Sequence, residues 1–263
     1  MRADKYFADK FGSRTKAAEA IEKGLVLING KAIKPKTEIN ADDTIEFILP
    51  KESFVSNGGY KLDRALKTFD FNCAEKTFVD IGASTGGFTD CLLQNGAKKV
   101  YAIDVGESLL HESLVGDARI ISMETTNARY LKKSDFADEI DCVVTDVSFI
   151  SLRLIFPVIK EILTEAGCSF VLVKPQFECE KKHIGKSGIV STAAHVDIVK
   201  RVLGYLLENK LYPHGIVNAP VRKGKNIEYV LYIKPTFINC QTEKAILERV
   251  KGFVKSNSEG NLE

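Results

Sequence analysis

From Thr77 to Ile233 the chain alternates apolar, strand-like runs with helical stretches, and this alternation restricts the fold more than any other feature. Strands are expected at Thr77–Ile81, Lys99–Asp104, Arg119–Ser122, Ile140–Asp146, Cys168–Lys174, Gly215–Ala219 and Glu228–Ile233. Helical periodicity runs between them through Phe88–Gln94, Leu152–Glu165 and Ala193–Leu207. A parallel neighbour needs a connection long enough to return along the sheet, so this order implies a doubly wound, mostly parallel sheet. The last two strands are joined by a Pro-, Lys- and Gly-rich segment with no room for a crossover helix, so the final pair should be antiparallel. The expected fold is α/β, with a seven-stranded, Rossmann-like sheet.

The first fifty residues follow another pattern. Ala3, Tyr6 or Phe7 and Phe11 recur at helical spacing up to Gly12, and Ser13 is placed to cap a second helix through Ala17, Ala20 and Ile21 that stops at Gly24. Asn29-Gly30 between apolar runs is a strong hairpin signal, and Thr44–Leu49 supplies a further strand before Pro50. Residues 1–36 carry nine basic side chains against four acidic, a net +5. The whole chain is 37 − 35 = +2, which leaves −3 for the rest. A small basic head on a near-neutral body suits the gripping of a polyanion. With 263 residues, roughly two domains are expected. The boundaries read as 1–50 for the head, 51–58 for a linker, 59–238 for the sheet domain and 239–263 for a helix (Glu243–Val254) and polar tail.

Composition narrows the class. Apolar residues at 44% and charged residues at 27% exclude bulk disorder. The N-terminus has no secretory apolar core, and no run approaches the ~18 apolar residues of a membrane helix. The six cysteines are scattered without a Cys-x-x-Cys pair and read as reduced thiols of a cytoplasmic protein. The four histidines lack ligand spacing, so no metal is expected.

Thr77–Phe88 reads as a buried strand, a Gly-rich turn and a helix start. Ligands of open parallel sheets sit at the carboxyl ends of strands, where a glycine turn lets backbone approach closely. Asp104, twenty-two residues after Gly82 and at the end of the next strand, is placed to accept both hydroxyls of a ribose. A nicotinamide dinucleotide or S-adenosylmethionine would suit, but Gly-x-x-x-Gly-Gly is not Gly-x-Gly-x-x-Gly. Asp80 before the turn favours a cationic ligand such as a methionine ammonium over a pyrophosphate.

Four charged residues fall at or near strand ends. Asp146 and Lys174 end the fourth and fifth strands, and Pro175 holds Lys174 extended. Glu228 begins the last strand, whose reversed direction brings its start to the same rim; Lys61 lies on a helix just after the junction.

At these positions the sequence resembles a known family. DIGASTGG, TDVSFIS, VKPQFE and NIEY, with GGYKL upstream, are similar to the bacterial hemolysin A (TlyA) family, in which an S4-like RNA-binding domain is fused to an FtsJ-like methyltransferase of the class I, Rossmann-like type. The resemblance covers the chain to about Pro235. It implies S-adenosylmethionine-dependent methylation of a ribose 2′-hydroxyl of ribosomal RNA, at a cytidine of 23S and/or 16S rRNA. The family's Lys-Asp-Lys-Glu tetrad falls on Lys61, Asp146, Lys174 and Glu228. Gly82, Ser84, Gly86, Phe88, Asp104, Asn127 and Asp146 would hold the donor, with Asn127 near the adenine. Arg14, Lys16 and Lys31, around the Asn29-Gly30 turn, would face RNA. Ribosomal RNA or ribosomal subunits are the implied partners, with no membrane and no obligate protein partner.

The chemistry suits these residue types. Methyl transfer from a sulfonium is an in-line displacement, so the enzyme must orient the acceptor hydroxyl and take its proton. Lys174 as a neutral amine is the expected base, a form favoured by burial and cationic neighbours and opposed by Asp146 and Glu228. Lys61 and Glu228 would then orient hydroxyl and amine. The loop Glu178–Thr192, with Lys181, Lys182, His183 and Lys186, and the basic Arg222, Lys223 and Lys225 are candidate phosphate contacts. The rival classes are a non-catalytic RNA-binding assembly factor, a cytolysin, and a methyltransferase of proteins or small molecules. The intact tetrad, the absence of a membrane-spanning element and the basic head argue against each in turn.

Overall fold

The structure is a computed structural model and describes residues 1–40, 42–47, 54–185, 187–221 and 224–258. The chain divides into two compact units, Met1–Ser53 and Phe54–Glu263. Residues 48 and 49 of the expected Thr44–Leu49 strand, and the candidate contacts Lys186, Arg222 and Lys223, lie outside the described residues.

The first unit opens with two single-turn helices, α1 (Ala3–Tyr6) and α2 (Ala8–Phe11). Gly12, at φ 78°, ends α2, and Ser13 caps α3 (Arg14–Glu22) by accepting from the Lys16 amide. Three short strands follow: β1 (Val26–Ile28), β2 (Lys31–Ala32) and β3 (Ile45–Phe47). They form an antiparallel sheet in the order β2-β1-β3. Asn29 and Gly30 both take positive φ, as a tight two-residue hairpin requires. Ala3, Phe7, Ala17, Ile21, Val26, Ile28 and Ile39 make the core.

The second unit begins with α4 (Asn57–Thr68), capped by Ser56, and then alternates. In chain order come β4 (Thr77–Ile81), α5 (Gly87–Gln94), β5 (Lys99–Ile103), β6 (Ile120–Met123) and β7 (Ile140–Thr145). They are followed by α6 (Phe156–Ile162), β8 (Leu163–Val173), α7 (Pro175–Glu178) and α8 (His195–Glu208). Last come β9 (Tyr212–Asn218), β10 (Tyr229–Lys234) and α9 (Glu243–Ser258). The sheet order is β6-β5-β4-β7-β8-β10-β9. The pairs from β6 to β8 are parallel, whereas β10 runs antiparallel to both β8 and β9.

Successive residues of the central strands feed opposite cores. Phe78, Val100, Cys142, Val144, Phe170 and Leu172 face one side, with Leu62 and Leu66 of α4 and Leu92 of α5. Val79, Ile81, Ile103, Val143, Val171 and Val173 face the other, with Ile159 of α6, Val202 of α8 and Val250 of α9. Strands buried on both faces read as continuous apolar runs, which is why they stood out in the sequence. Each fully buried side chain such as Phe170 contributes roughly 1.5–3 kcal/mol.

Two expectations need correction. The helix expected over Leu152–Glu165 is a 3-10 turn at Leu152–Leu154 followed by a shorter α6, and the chain extends from Leu163 straight into β8. Leu163 pairs with Ile140, and a register shift between Ile140 and Cys142 takes up the extra residues. A short apolar run fits a strand as well as a helix there. The third strand is Ile120–Met123 rather than Arg119–Ser122, because Arg119 turns back to pair with Asp117. Among the described residues, no helix is long and apolar enough to cross a membrane.

Candidate active site

At the carboxyl end of β4 the chain passes through Gly82 at φ 83° and Ser84 at φ 47° into α5. A side-chain carbon on Gly82 would stand 3.2 Å from the Asp146 carbonyl oxygen, so the turn excludes larger residues by both conformation and space. Asp104, just past β5, accepts from the Ser84 and Gly106 amides, each at 2.9 Å, and so fixes the turn. A cleft of about 720 Å³ opens here, lined by Gly82, Ser84, Asp104, Asn127, Asp146 and the loop through Ser151. A smaller cavity of about 230 Å³ shares Gly82, Ser84, Asp146 and Ser148 with it, and adds Ser56, Phe88 and Lys174. Between them these spaces offer a carboxylate for ribose hydroxyls, an apolar slot and a polar end.

Asp80 lies behind the turn with no solvent exposure. Its Oδ2 accepts from Thr89 Oγ1 at 2.7 Å, while Oδ1 has no partner. Burial pushes its carboxyl up to about 7, against the Thr89 hydrogen bonds and with help from the Asp146 and Asp104 charges. A buried carboxylate oxygen left without a donor beside a glycine turn fits a cationic ligand group. S-adenosylmethionine, with an adenosine at one end and an ammonium at the other, meets this donor set: Asp104 for its ribose, the larger cleft for its adenosine, and the smaller cavity for its methionine end.

The charged cluster stands next to this cleft. Lys61 Nζ lies 2.7 Å from Glu228 Oε2 and 3.6 Å from Asp146 Oδ2. Lys174 Nζ lies 2.5 Å from Asp146 Oδ1 and donates to Ser148 Oγ at 2.8 Å. Gln176 Nε2 donates to the free Oε1 of Glu228 at 3.2 Å. Two amines and two carboxylates therefore form one chain of contacts, Lys174–Asp146–Lys61–Glu228. The register makes this possible: Tyr229 pairs with Val173, so Glu228 and Lys174 emerge side by side from antiparallel strands. Burial alone would lower Lys61, but the Asp146 and Glu228 charges outweigh it and hold Lys61 above the ordinary lysine value. Lys61 thus stays a cation. On the far side of Lys61 and Glu228 a polar cavity of about 770 Å³ opens, lined also by Tyr60, Gln176, Gly188 and Asn226.

The sequence-derived residues fare differently. Gly82, Ser84, Asp104, Asn127 and Asp146 line the larger cleft and Phe88 the smaller. Gly86 lines neither; it is the left-handed N-cap of α5, where a side-chain carbon would meet Leu114 at 2.4 Å. Asn127 lies four residues past the end of β6, and its Oδ1 accepts from the Arg129 amide. In the first unit Arg14, Lys16 and Lys31 are all exposed, and Arg14 Nε is also engaged by the buried Asp4 at 3.0 Å. Hydrogen bonds from Arg2 and Arg14 hold the Asp4 carboxyl below its usual value against the opposing effect of burial. Ser148, Phe149 and Gln176 lie within the motifs TDVSFIS and VKPQFE but were not singled out as site residues, and nothing local pointed to Ser56. Phe149 sits at φ 62° with its ring 90% exposed and 4.9 Å from that of Phe177. Positive φ at a bulky residue is uncommon backbone, and only coordinates reveal it.

Comparison with known proteins places the chain in a family. The FtsJ-like methyltransferase model matches residues 54–234, and the S4 domain model matches residues 1–45. The chain is 39% identical to hemolysin A of Brachyspira hyodysenteriae over 238 residues, covering 88% of this chain and 99% of that one. It is 36% identical to the 16S/23S rRNA (cytidine-2′-O)-methyltransferase TlyA of Mycobacterium tuberculosis, covering 89% and 87%. A solved structure described as a hemolysin of Streptococcus thermophilus superposes with a TM-score of 0.70 at 35% identity over 98% of both chains. The chain belongs to the FtsJ-like methyltransferase family, as an S-adenosylmethionine-dependent enzyme with an S4 domain at its N-terminus.

Proposed function

We propose that the chain methylates a ribose 2′-hydroxyl of ribosomal RNA, at a cytidine, working on ribosomal subunits in the cytoplasm with Lys174 as the general base. The observation that carries this reading is the continuous contact chain Lys174–Asp146–Lys61–Glu228 between the donor cleft and a second, polar cavity. S-adenosylmethionine, when bound, would supply an electrophilic methyl carried on a sulfonium that is a neutral thioether once the methyl is transferred. A 2′-hydroxyl entering from the polar cavity meets Lys61, which donates to its oxygen, and Glu228, which holds Lys61 in place. In this reading Lys174, beside both the donor cavity and Asp146, takes the hydroxyl proton as the new O–C bond forms. Asp146 then stabilises the ammonium produced. The exposed ring of Phe149 offers a stacking face to an unpaired base, and exposed Lys16 and Lys31 offer charges to phosphates. The names of the curated relatives favour ribosomal RNA and a cytidine over other acceptors.

The test is transfer of tritiated methyl to unmodified ribosomal subunits, followed by mass mapping of the labelled nucleotide. Lys174→Ala should abolish incorporation while leaving the protein folded. Label on a base, or full incorporation by Lys174→Ala, overturns the assignment.

A further inference from the structure

The segment Lys174–Glu178 and the loop Asp146–Leu152 meet at three successive places, and the charged cluster accounts only for the first. Lys174 holds Asp146 and Ser148 at the start of the loop. In the middle, the Phe177 ring lies against that of Phe149. At the far end of α7, Glu178 Oε2 accepts from Ser151 Oγ at 2.8 Å and Oε1 accepts from the Leu152 amide at 2.7 Å. Glu178 is only 7% exposed, and its own carbonyl accepts from Arg201 of α8 at 3.3 Å. Burial pushes its carboxyl up, opposed by those two hydrogen bonds and by the Arg201 charge. A buried carboxylate is costly unless its oxygens are satisfied, and these are satisfied by the two residues that end the loop. The start of the loop is anchored too, since the Asp146 amide donates to the Ile81 carbonyl at 3.2 Å. Held at both ends, the intervening residues place Ser148 on Lys174 and keep Phe149 in its left-handed backbone at the mouth of the donor cleft.

We propose that Glu178 is a positioning residue for methyl transfer: it touches neither donor nor acceptor, and it fixes the loop that aligns the Lys174 amine. The inference rests on Lys174 being the base. A shift of about 1 Å at a reacting group costs on the order of 100-fold in rate, so loss of the pin should appear in kcat.

Steady-state kinetics with ribosomal subunits and S-adenosylmethionine test it on the full chain. Glu178→Ala should lower kcat by roughly 10- to 100-fold while KM for S-adenosylmethionine moves by less than about fivefold. Glu178→Gln keeps an acceptor for the Leu152 amide and presents a donor to Ser151 Oγ, and should stay within about threefold of the parent. Ser151→Ala, which removes one of the two bonds, should fall between them and serves if Glu178→Ala does not fold. Val158→Ala, at a buried position of α6 outside the site, controls for destabilisation and should lower the melting temperature without lowering kcat. Unchanged kcat in Glu178→Ala or Ser151→Ala, failure of Glu178→Gln to rescue, or an equal kcat loss in Val158→Ala overturns the proposal. The two readings fail separately: an active Lys174→Ala removes the base assignment, whereas a dead Lys174→Ala beside a fully active Glu178→Ala removes this inference alone.

Discussion

Replacing Asp80 by Asn should make the protein more stable at alkaline pH and leave it no more stable at acid pH. The folded carboxyl titrates at about 7, against 3.8 for an ordinary aspartate. Below about pH 4 both folded and unfolded chains carry the proton. Between about 4 and 7 the unfolded chain has lost it and the folded chain has not, so stability falls as pH rises, by about 1.4 kcal/mol per pH unit. Over roughly three pH units the cost reaches a ceiling of about 4 kcal/mol, and above pH 7 it stays there. In Asp80→Asn the carbonyl still accepts from Thr89, but the amide faces the place where Oδ1 has no partner, a loss of about 1–3 kcal/mol. The difference is a gain of about 1–3 kcal/mol at pH 8 that vanishes by pH 5. The chain has no Trp, so urea unfolding would be followed by far-ultraviolet circular dichroism at pH 5, 6, 7 and 8. Subtracting the parent curve from the variant curve isolates Asp80, because every other group titrates in both. Parallel curves across that range would refute the reasoning. The same variant should bind S-adenosylmethionine more weakly, so stability and donor affinity would move in opposite directions.

Gly82→Ala forces a side-chain carbon to 3.2 Å from the Asp146 carbonyl at positive φ; calorimetry should show at least a tenfold loss of donor affinity with a lower melting temperature. Tyr229→Phe removes the hydroxyl that sits 2.8 Å from Nδ1 of the buried His195, and should cost about 1–2 kcal/mol of unfolding free energy with little change in donor affinity. Lys16→Ala and Lys31→Ala should each weaken binding to ribosomal RNA and reduce the slope of log affinity against log salt by about one, whereas Arg14→Ala should lower the melting temperature too, because it leaves Asp4 short of a partner.

The sheet and its glycine turn were legible because their signals are local. Strands buried on both faces are apolar throughout, and a lysine or aspartate ending such a run marks the rim. That Glu228 would join Lys174 followed from strand direction, since a short connection forces β10 to run backwards; Lys61, on a helix, was placed with them only by the family resemblance. What could not be read depends on residues distant in sequence meeting in space. Leu163 joins β8 only because Ile140 is there to pair with it. Arg14 is engaged by Asp4 across a helix–helix packing that no local pattern announces. Ser56 reaches the glycine turn because α4 lies against α5: a side-chain carbon on Gly87 would come 2.1 Å from its hydroxyl. Glu178 read only as the start of a loop of candidate phosphate contacts, and its burial depends on the segment 26 residues earlier folding over it.

The pairing of Tyr229 with Val173 has an evolutionary consequence. The separation of Glu228 from Lys174 is set by main-chain hydrogen bonds between neighbouring strands, so residues added or lost between Ala219 and Asn226 would alter the shape of the polar cavity beside Glu228 without moving the carboxylate. A slip of one residue in the ladder would instead turn Glu228 to the other side of the sheet. That connection is thereby free to change in length while Glu228 and Lys174 stay side by side.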